Sequence, residues 1–425
     1  MLAGAAHADP KREVPDYDGR GNPDSEPETW VAWIPRVVLA PFYAVNEYVI
    51  RRPLGALVST AERHHWADSV EQLFTFGKNN DQVIFPTALW DFGLLPSVGL
   101  YYAGDDLFVP HNTLRIHVAT WGKPWIVATI ADRYNIDKAS SVQGRFEFRR
   151  AEDNIFFGIG PDVTSSTRSR YGLQREEGTL AYRYRFMGES FAQAHLGLHH
   201  ISFTDGTCCD DPQLLDRVAE GTLMLPPGYG DPYTAAFGVF EVQLDTRAPR
   251  PMPGSGAYLH LIAQPNFEIF DHRSWMQYGG VVGGSVDLTG HQRVLKLQLA
   301  VAFADDISGS PMPFTEYAVL GGDQMPGFIP GWLTGQSTAV AQIGYTWPVW
   351  IGIDGQTRFS LGNAYNEHLS GLAPGTLRWS WDIGLTTNTV RDQGLELLFG
   401  LGSETFDQGG HVTSVRVAIG SRQGF

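Results

Sequence analysis

The densest run of chemically able side chains is His199-His200 followed by Cys208-Cys209-Asp210-Asp211, soft and hard donors close enough in sequence to suggest a metal. Vicinal thiols seldom chelate one ion, and a strand end running into a polar loop accounts for the same residues, so no metal ligand set is assigned. Nucleophilic hydrolysis would need a serine, a histidine and an acid gathered on one rim. His111, His117, His195 and His199 fall on no such constellation. The chain carries no G-x-S-x-G, H-E-x-x-H, C-x-x-C or phosphate-loop spacing. The expectation is a protein without catalytic residues or cofactors.

A second stretch asks a different question. LGGDQMPGFIPGWLTG, Leu320 to Gly335, is as rich in glycine and proline as a surface loop, yet carries Met325, Phe328, Ile329, Trp332 and Leu333. Such side chains must be hidden by the rest of the fold. What hides them follows from the elements around the loop. The chain has 425 residues, 48 glycines, 12% aromatic and only 18% charged residues, a balance that favours many strands and turns. Its net charge of −15 excludes a nucleic-acid partner that needs a basic face. Two adjacent cysteines define no disulfide framework.

From about Val83 the residues alternate with period two almost to the end. In LKLQLAVAF, Leu295, Leu297, Leu299, Val301 and Phe303 alternate with Lys296, Gln298 and two alanines; LRWSWDIGL and YRYRF do the same. Alternation fits either a soluble sandwich or a membrane barrel. Three features choose the barrel. The segments are about ten residues long, the length of a tilted membrane strand. The polar face carries long charged side chains of both signs, among them Arg145, Glu147, Arg183, Arg358, Asp382, Glu396 and Arg416. Trp121, Trp125, Trp347, Trp350 and Tyr365 recur at segment ends, as in an interfacial girdle.

Some sixteen strands are expected, starting near residue 83 and ending near 420, in an all-β antiparallel transmembrane barrel spanning 83–425. Connections after even strands are brief, with Trp347-Pro348 read as one such turn, whereas Ala151–Glu177, Thr204–Pro232, Asp305–Ser337 and Asn363–Gly375 are long. Short periplasmic turns and long external loops would put both termini in the periplasm. Ahead of the barrel, residues 1–8 read as the remnant of a secretory signal ending in Ala6-His7-Ala8, residues 9–29 as a disordered polar segment, and residues 30–82 as proline-broken helices, either lying on a membrane surface or packed on the protein.

LGGDQMPGFIPGWLTGQSTAVAQIGYTWPVW resembles the L-G-G-x-x-x-(I/V/L)-R-G-(F/Y)-x-x-G stretch and following W-P of the bacterial surface antigen barrel, the membrane part of outer-membrane insertases and two-partner secretion translocases. Leu320, Gly321, Gly322, Gly327, Phe328 and Gly331 match. FFGIGPD, with Phe156, Phe157, Gly158 and Gly160, is similar to the family's external F-(F/Y)-G-x-G stretch, and the chain ends in Phe425. The resemblance implies that the loop folds back into the lumen, with Met325, Phe328 and Trp332 packed inside the wall. It also implies outer-membrane lipids and lipopolysaccharide as surroundings, and unfolded outer-membrane proteins as clients.

Two departures limit what carries over. Residues 9–82 do not resemble the periplasmic receptor domains of that family. Pro326 stands where the family has arginine, and Ser360 falls where its acidic partner is expected; Asp354, Arg358 and Asp382 are the other lumen positions facing the loop. Two function classes stay open, an insertase or translocase and a passive pore, solute-transport or structural barrel. Pro86, Gly93 and Gly99 in and beside the first strand weaken its pairing and favour the first.

Overall fold

A computed structural model describes residue 60, residues 73–77 and the barrel from 81 to 423, except 249–253, 289–291, 351–352 and 388–392. The expectations for residues 1–59 and 61–72 and for Phe425 lie outside the described residues. The main sheet has 17 strands, one of which is the two-residue piece Thr75–Phe76. The others close a sixteen-stranded antiparallel barrel: β1 (Gln82–Asp91), β2 (Ser97–Asp105), β3 (Asn112–Thr120), β4 (Trp125–Asn135), β5 (Ser140–Phe156), β6 (Ser169–Met187), β7 (Ser190–Thr204), β8 (Tyr233–Asp245), β9 (Gly256–Glu268), β10 (Ser274–Asp287), β11 (Val294–Asp306), β12 (Ser337–Trp350), β13 (Ile353–Tyr365), β14 (Arg378–Thr387), β15 (Gln393–Ser403) and β16 (Val412–Gln423). Each pairs with its neighbour in sequence, and β16 returns to β1.

Period-two alternation sorts the side chains as the sequence requires. Leu295, Leu297, Leu299 and Val301 point outward and are exposed, as are Tyr182, Tyr184, Leu395 and Leu397. Arg378, Ser380 and Asp382 on β14 are buried on the inner face. The outer wall is an apolar belt around a polar lumen, the inverse of a soluble sandwich.

Three expectations need correction. β5 and β6 run on to Phe156 and back from Ser169, so much of Ala151–Glu177 is strand, bulged between Ala151 and Asn154. The alternation fails there because loops cover both faces: Ala151, Ile155, Phe156 and Phe157 are all buried. β12 continues through Trp347-Pro348 to Trp350, with Pro348 opposite Asp354, a register shift before Trp350 and Trp350 opposite Ile353, so Pro348 lies within the strand and not at the reversal. Tyr365 is fully buried, unlike a girdle residue; Trp121 is half exposed.

The loops sort by rim. At one end lie residues 157–168, 205–232, 307–336 and 366–377; at the other the connections are mostly short, such as Gly188-Glu189 between β6 and β7. The 205–232 loop carries a short helix, α1 (Leu214–Ala219). Its Asp211 receives Arg168 and the buried Arg170, which also donates to the Asp153 and Gly93 carbonyls, so this end is a bonded cap over the wall.

Candidate functional site

The Leu320–Gly335 stretch leaves the rim and enters the barrel. Two three-residue strands, Ala318–Leu320 and Leu333–Gly335, pair at its neck. Gly321 has φ 111°, and a Cβ there would meet the Ile329 carbonyl oxygen at 2.3 Å, so only glycine makes this turn. Gly322 and Gly331 also take positive φ. Leu320, Met325, Phe328, Ile329, Trp332 and Leu333 are buried in a cluster with Ile155, Phe157, Val340 and Ala364. Phe157 stacks on Trp332 at 4.1 Å between ring centroids, and Gly160 N–H donates to the Thr334 carbonyl. The two glycine-rich motifs are thus one packed unit. Gly158 and Gly160 supply its left-handed turns, at φ 121° and 95°.

The loop tip, Pro326-Gly327, rests on the inner face of the last strands. A Cβ on Gly327 would lie 1.9 Å from the Leu401 carbonyl oxygen, and one on Gly402 would lie 2.6 Å from the Phe328 ring. Glycine on both surfaces lets the loop backbone touch the wall. A row of four polar side chains and one glycine at one level forms the shelf: Gln342, Ser360, Ser380, Gly402 and Ser414 are successive register partners across β12 to β16. Gly327 N–H donates to Ser380 Oγ at 2.8 Å, Ser414 Oγ–H to the Gly327 carbonyl at 2.6 Å, and Gln342 Nε2 to both the Gln324 carbonyl and Ser360 Oγ at 2.9 Å. The tip is therefore held by backbone hydrogen bonds as well as by packing.

Pro326 gives the loop no cation; the wall supplies one. Arg416 on β16 donates Nη1 to the Pro326 carbonyl at 3.3 Å. The same guanidinium donates Nε to both carboxylate oxygens of Asp91 on β1, at 3.1 and 3.0 Å, and Nη2 to Oδ2 at 2.6 Å. Both side chains are almost wholly buried. Of the lumen positions expected to face the loop, Arg358 pairs with Asp382 across β13 and β14 at 3.0 Å, not with the loop, and Ser360 reaches it through Gln342. Asp354 is fully buried at the turn end of β13, six residues from Ser360 and opposite Pro348. The Cys208 and Cys209 sulfurs are joined to each other, and His199 packs against Tyr233 near Glu316, so the donors that suggested a metal do not converge.

The β16–β1 junction that Arg416 and Asp91 straddle is short. Among the described residues its register pairs are three, Ala418↔Asp91, Ile419↔Trp90 and Gly420↔Leu89, extended by Phe92 N–H donating to the Val417 carbonyl. β1 makes eight pairs with β2, and β16 makes eleven with β15. Gly420 has φ 149°, and a Cβ there would stand 2.1 Å from the Ala88 carbonyl oxygen. Beyond it, among the described residues, β16 pairs with β15 and not with β1. Thr75–Phe76 pairs with Gln82–Val83 at the other end of β1.

No protein-family model and no curated protein matches the sequence. Among solved structures, BamA from Haemophilus ducreyi lacking POTRA domains 1-3 is similar over 80% of this chain and 70% of its own, at a TM-score of 0.56 and 13% identity. CdiB from Acinetobacter baumannii is similar over 81% of this chain and 60% of its own, at 0.51 and 10%. The chain has the barrel fold of BamA and CdiB. It spans under two thirds of CdiB's length.

Within that fold the Leu320–Gly335 loop packs inside the wall with Phe157, and the contacts of its tip were not legible in the sequence. Ser380, Ser414 and Gln342 are ordinary polar residues in alternating strands. Only the register, which places them in one row, singles them out. Arg416 was legible as a lumen charge. Its partner Asp91 stands at the far end of the chain from it, and nothing local joins the two.

Proposed function

We propose that this BamA/CdiB-type barrel sits in a bacterial outer membrane, termini toward the periplasm, and guides polypeptide strands into or across it through the β16–β1 seam. The observation that carries the reading is the three-pair seam in a wall whose other junctions are far longer. A backbone hydrogen bond contributes only about 0.5–1.5 kcal/mol net, so the shortest ladder opens first. Opening frees Leu89 to Asp91 and so lengthens a β1 edge that, among the described residues, β16 already leaves uncovered from Ile84 to Ala88, a template for an incoming strand; Pro86 lacks the N–H that would strengthen closure.

The test is capture. A photo-crosslinker at Ala88, in barrel reconstituted in liposomes, is expected to trap an unfolded outer-membrane protein, while one at Leu297, far round the wall, is not. Equal capture at both sites, or none accompanied by solute flux, would replace this reading with a passive pore.

Orientation and burial give two further expectations. A tag in the 205–232 loop should be labelled on intact cells, and one in the turn between Asp287 and Val294 should stay dark; reversed labelling overturns the orientation. Leu297→Arg, on the apolar belt, is expected to cost about 2–4 kcal/mol near the bilayer midplane, and Gln298→Arg, facing the lumen, much less. Urea unfolding in vesicles compares them, and equal costs would contradict the assignment of faces.

A further inference from the structure

We propose that the Asp91–Arg416 pair is a latch across the seam, and that the lumen loop sets it. The inference deepens the strand-guiding reading and rests on it, since it assigns the regulation of the same seam. One guanidinium holds two moving parts at once. Through Nε and Nη2 it fastens β16 to β1 beside the three backbone pairs, and through Nη1 it holds the loop tip at the Pro326 carbonyl. Two residues along β16, Ser414 ties the same tip through the Gly327 carbonyl. The seam strand therefore carries two of the loop tip's fastenings, through Ser414 and Arg416, and the cation of the latch.

The coupling follows from hydration. With the tip seated, Arg416 and Asp91 are 3% and 6% exposed, and their bonds form out of water, where a planar fork on a carboxylate is strong. Gly400 and Gly402 form the floor under the tip; a Cβ on Gly400 would lie 2.9 Å from the Pro326 carbonyl oxygen. Neither glycine has a side chain to replace the tip when it lifts. Water then reaches the pair, and a hydrated, screened pair contributes little. The seam is left with its three backbone pairs and a kinked Gly420. Coupling between two positions is reciprocal, so a strand that parts β1 from β16 also loosens the loop.

The test reads seam and loop separately, in the full chain and without client. Spin labels at Trp90→Cys and Ile419→Cys, register partners on the outer face, report the seam; the native cysteines are joined and take no label. In a second background, the thiol introduced by Gln324→Cys reports the loop through its labelling rate. Retarded folding on an unheated gel confirms that each variant is a closed barrel. Asp91→Asn should convert a narrow short distance distribution into a broad one and raise labelling by roughly tenfold, since the open population sets reactivity. Ser414→Ala, which leaves the ion pair intact and is mild enough to fold, should shift both readouts in the same direction by a smaller factor. A Ser414→Ala or Phe328→Ala barrel whose loop thiol becomes reactive while the seam distances stay narrow overturns the coupling. An unchanged seam in Asp91→Asn overturns the latch itself. A seam that widens in Asp91→Asn in a barrel that captures no client leaves the latch standing and removes the strand-guiding reading.

Discussion

Replacing Phe328 by alanine is expected to destabilise the barrel by about 3–5 kcal/mol, the usual cost of emptying a packed aromatic site. Phe328 is fully buried, its ring 5.7 Å from that of Trp332 and in the space that the missing side chain of Gly402 leaves open. Backbone bonds at Gly327 on one side and the strand pair at the neck on the other prevent the loop from collapsing to fill the hole. The cavity term should therefore be close to its full value. Phe328→Leu keeps most of the volume and should cost under about 1.5 kcal/mol. Val319→Ala, on the neck strand but more than half exposed, is the control. Urea unfolding of the three variants in vesicles checks the order, and a Val319→Ala effect as large as that of Phe328→Ala would mean that the loop is not a packed element. Conductance through planar bilayers should rise in Phe328→Ala alone.

The wall was readable because its physics is local and periodic. Each strand carries its own inside and outside, and residues such as Leu297 and Gln298 declare them without reference to any distant residue. Where loops cover both faces, as at Ala151 to Phe157, the alternation has nothing to report and the strand ends were misplaced. Trp347-Pro348 misled for a related reason. Proline suggests a turn, yet its missing N–H is tolerated at a register irregularity near a strand end, and β12 absorbs it there. The loop's burial was legible in its composition, because no surface loop keeps Phe328 and Trp332. Its polar fastening was not, because Ser380, Ser414 and Arg416 meet the tip only after the sheet has closed on itself, and closure is the least local event in the fold.

The second large effect lies at that closure. Asp91→Asn should cost about 3–5 kcal/mol, since it leaves the Arg416 guanidinium buried with carbonyl and amide oxygens but no countercharge. Arg416→Met should cost a comparable amount by stranding the Asp91 carboxylate. Combined, the two changes remove both charges and both desolvation penalties, and a buried pair replaced by neutral groups of similar volume is often close to neutral. The double variant is therefore expected to be more stable than either single one, with an interaction term of several kcal/mol in the cycle. Burial is what makes this large. Arg217 and Glu220 on the rim approach to 3.0 Å as well, yet Glu220 is half exposed, and the same cycle there should return no more than about 0.5 kcal/mol. Thermal shift of the four seam variants, read by loss of the folded gel mobility, measures the term. Strict additivity at Asp91 and Arg416 would show that the two strands do not meet through this pair. A large term with a double variant that folds normally but no longer holds its seam shut would separate the pair's two roles, because stability would then be restored without the charge that keeps β16 on β1.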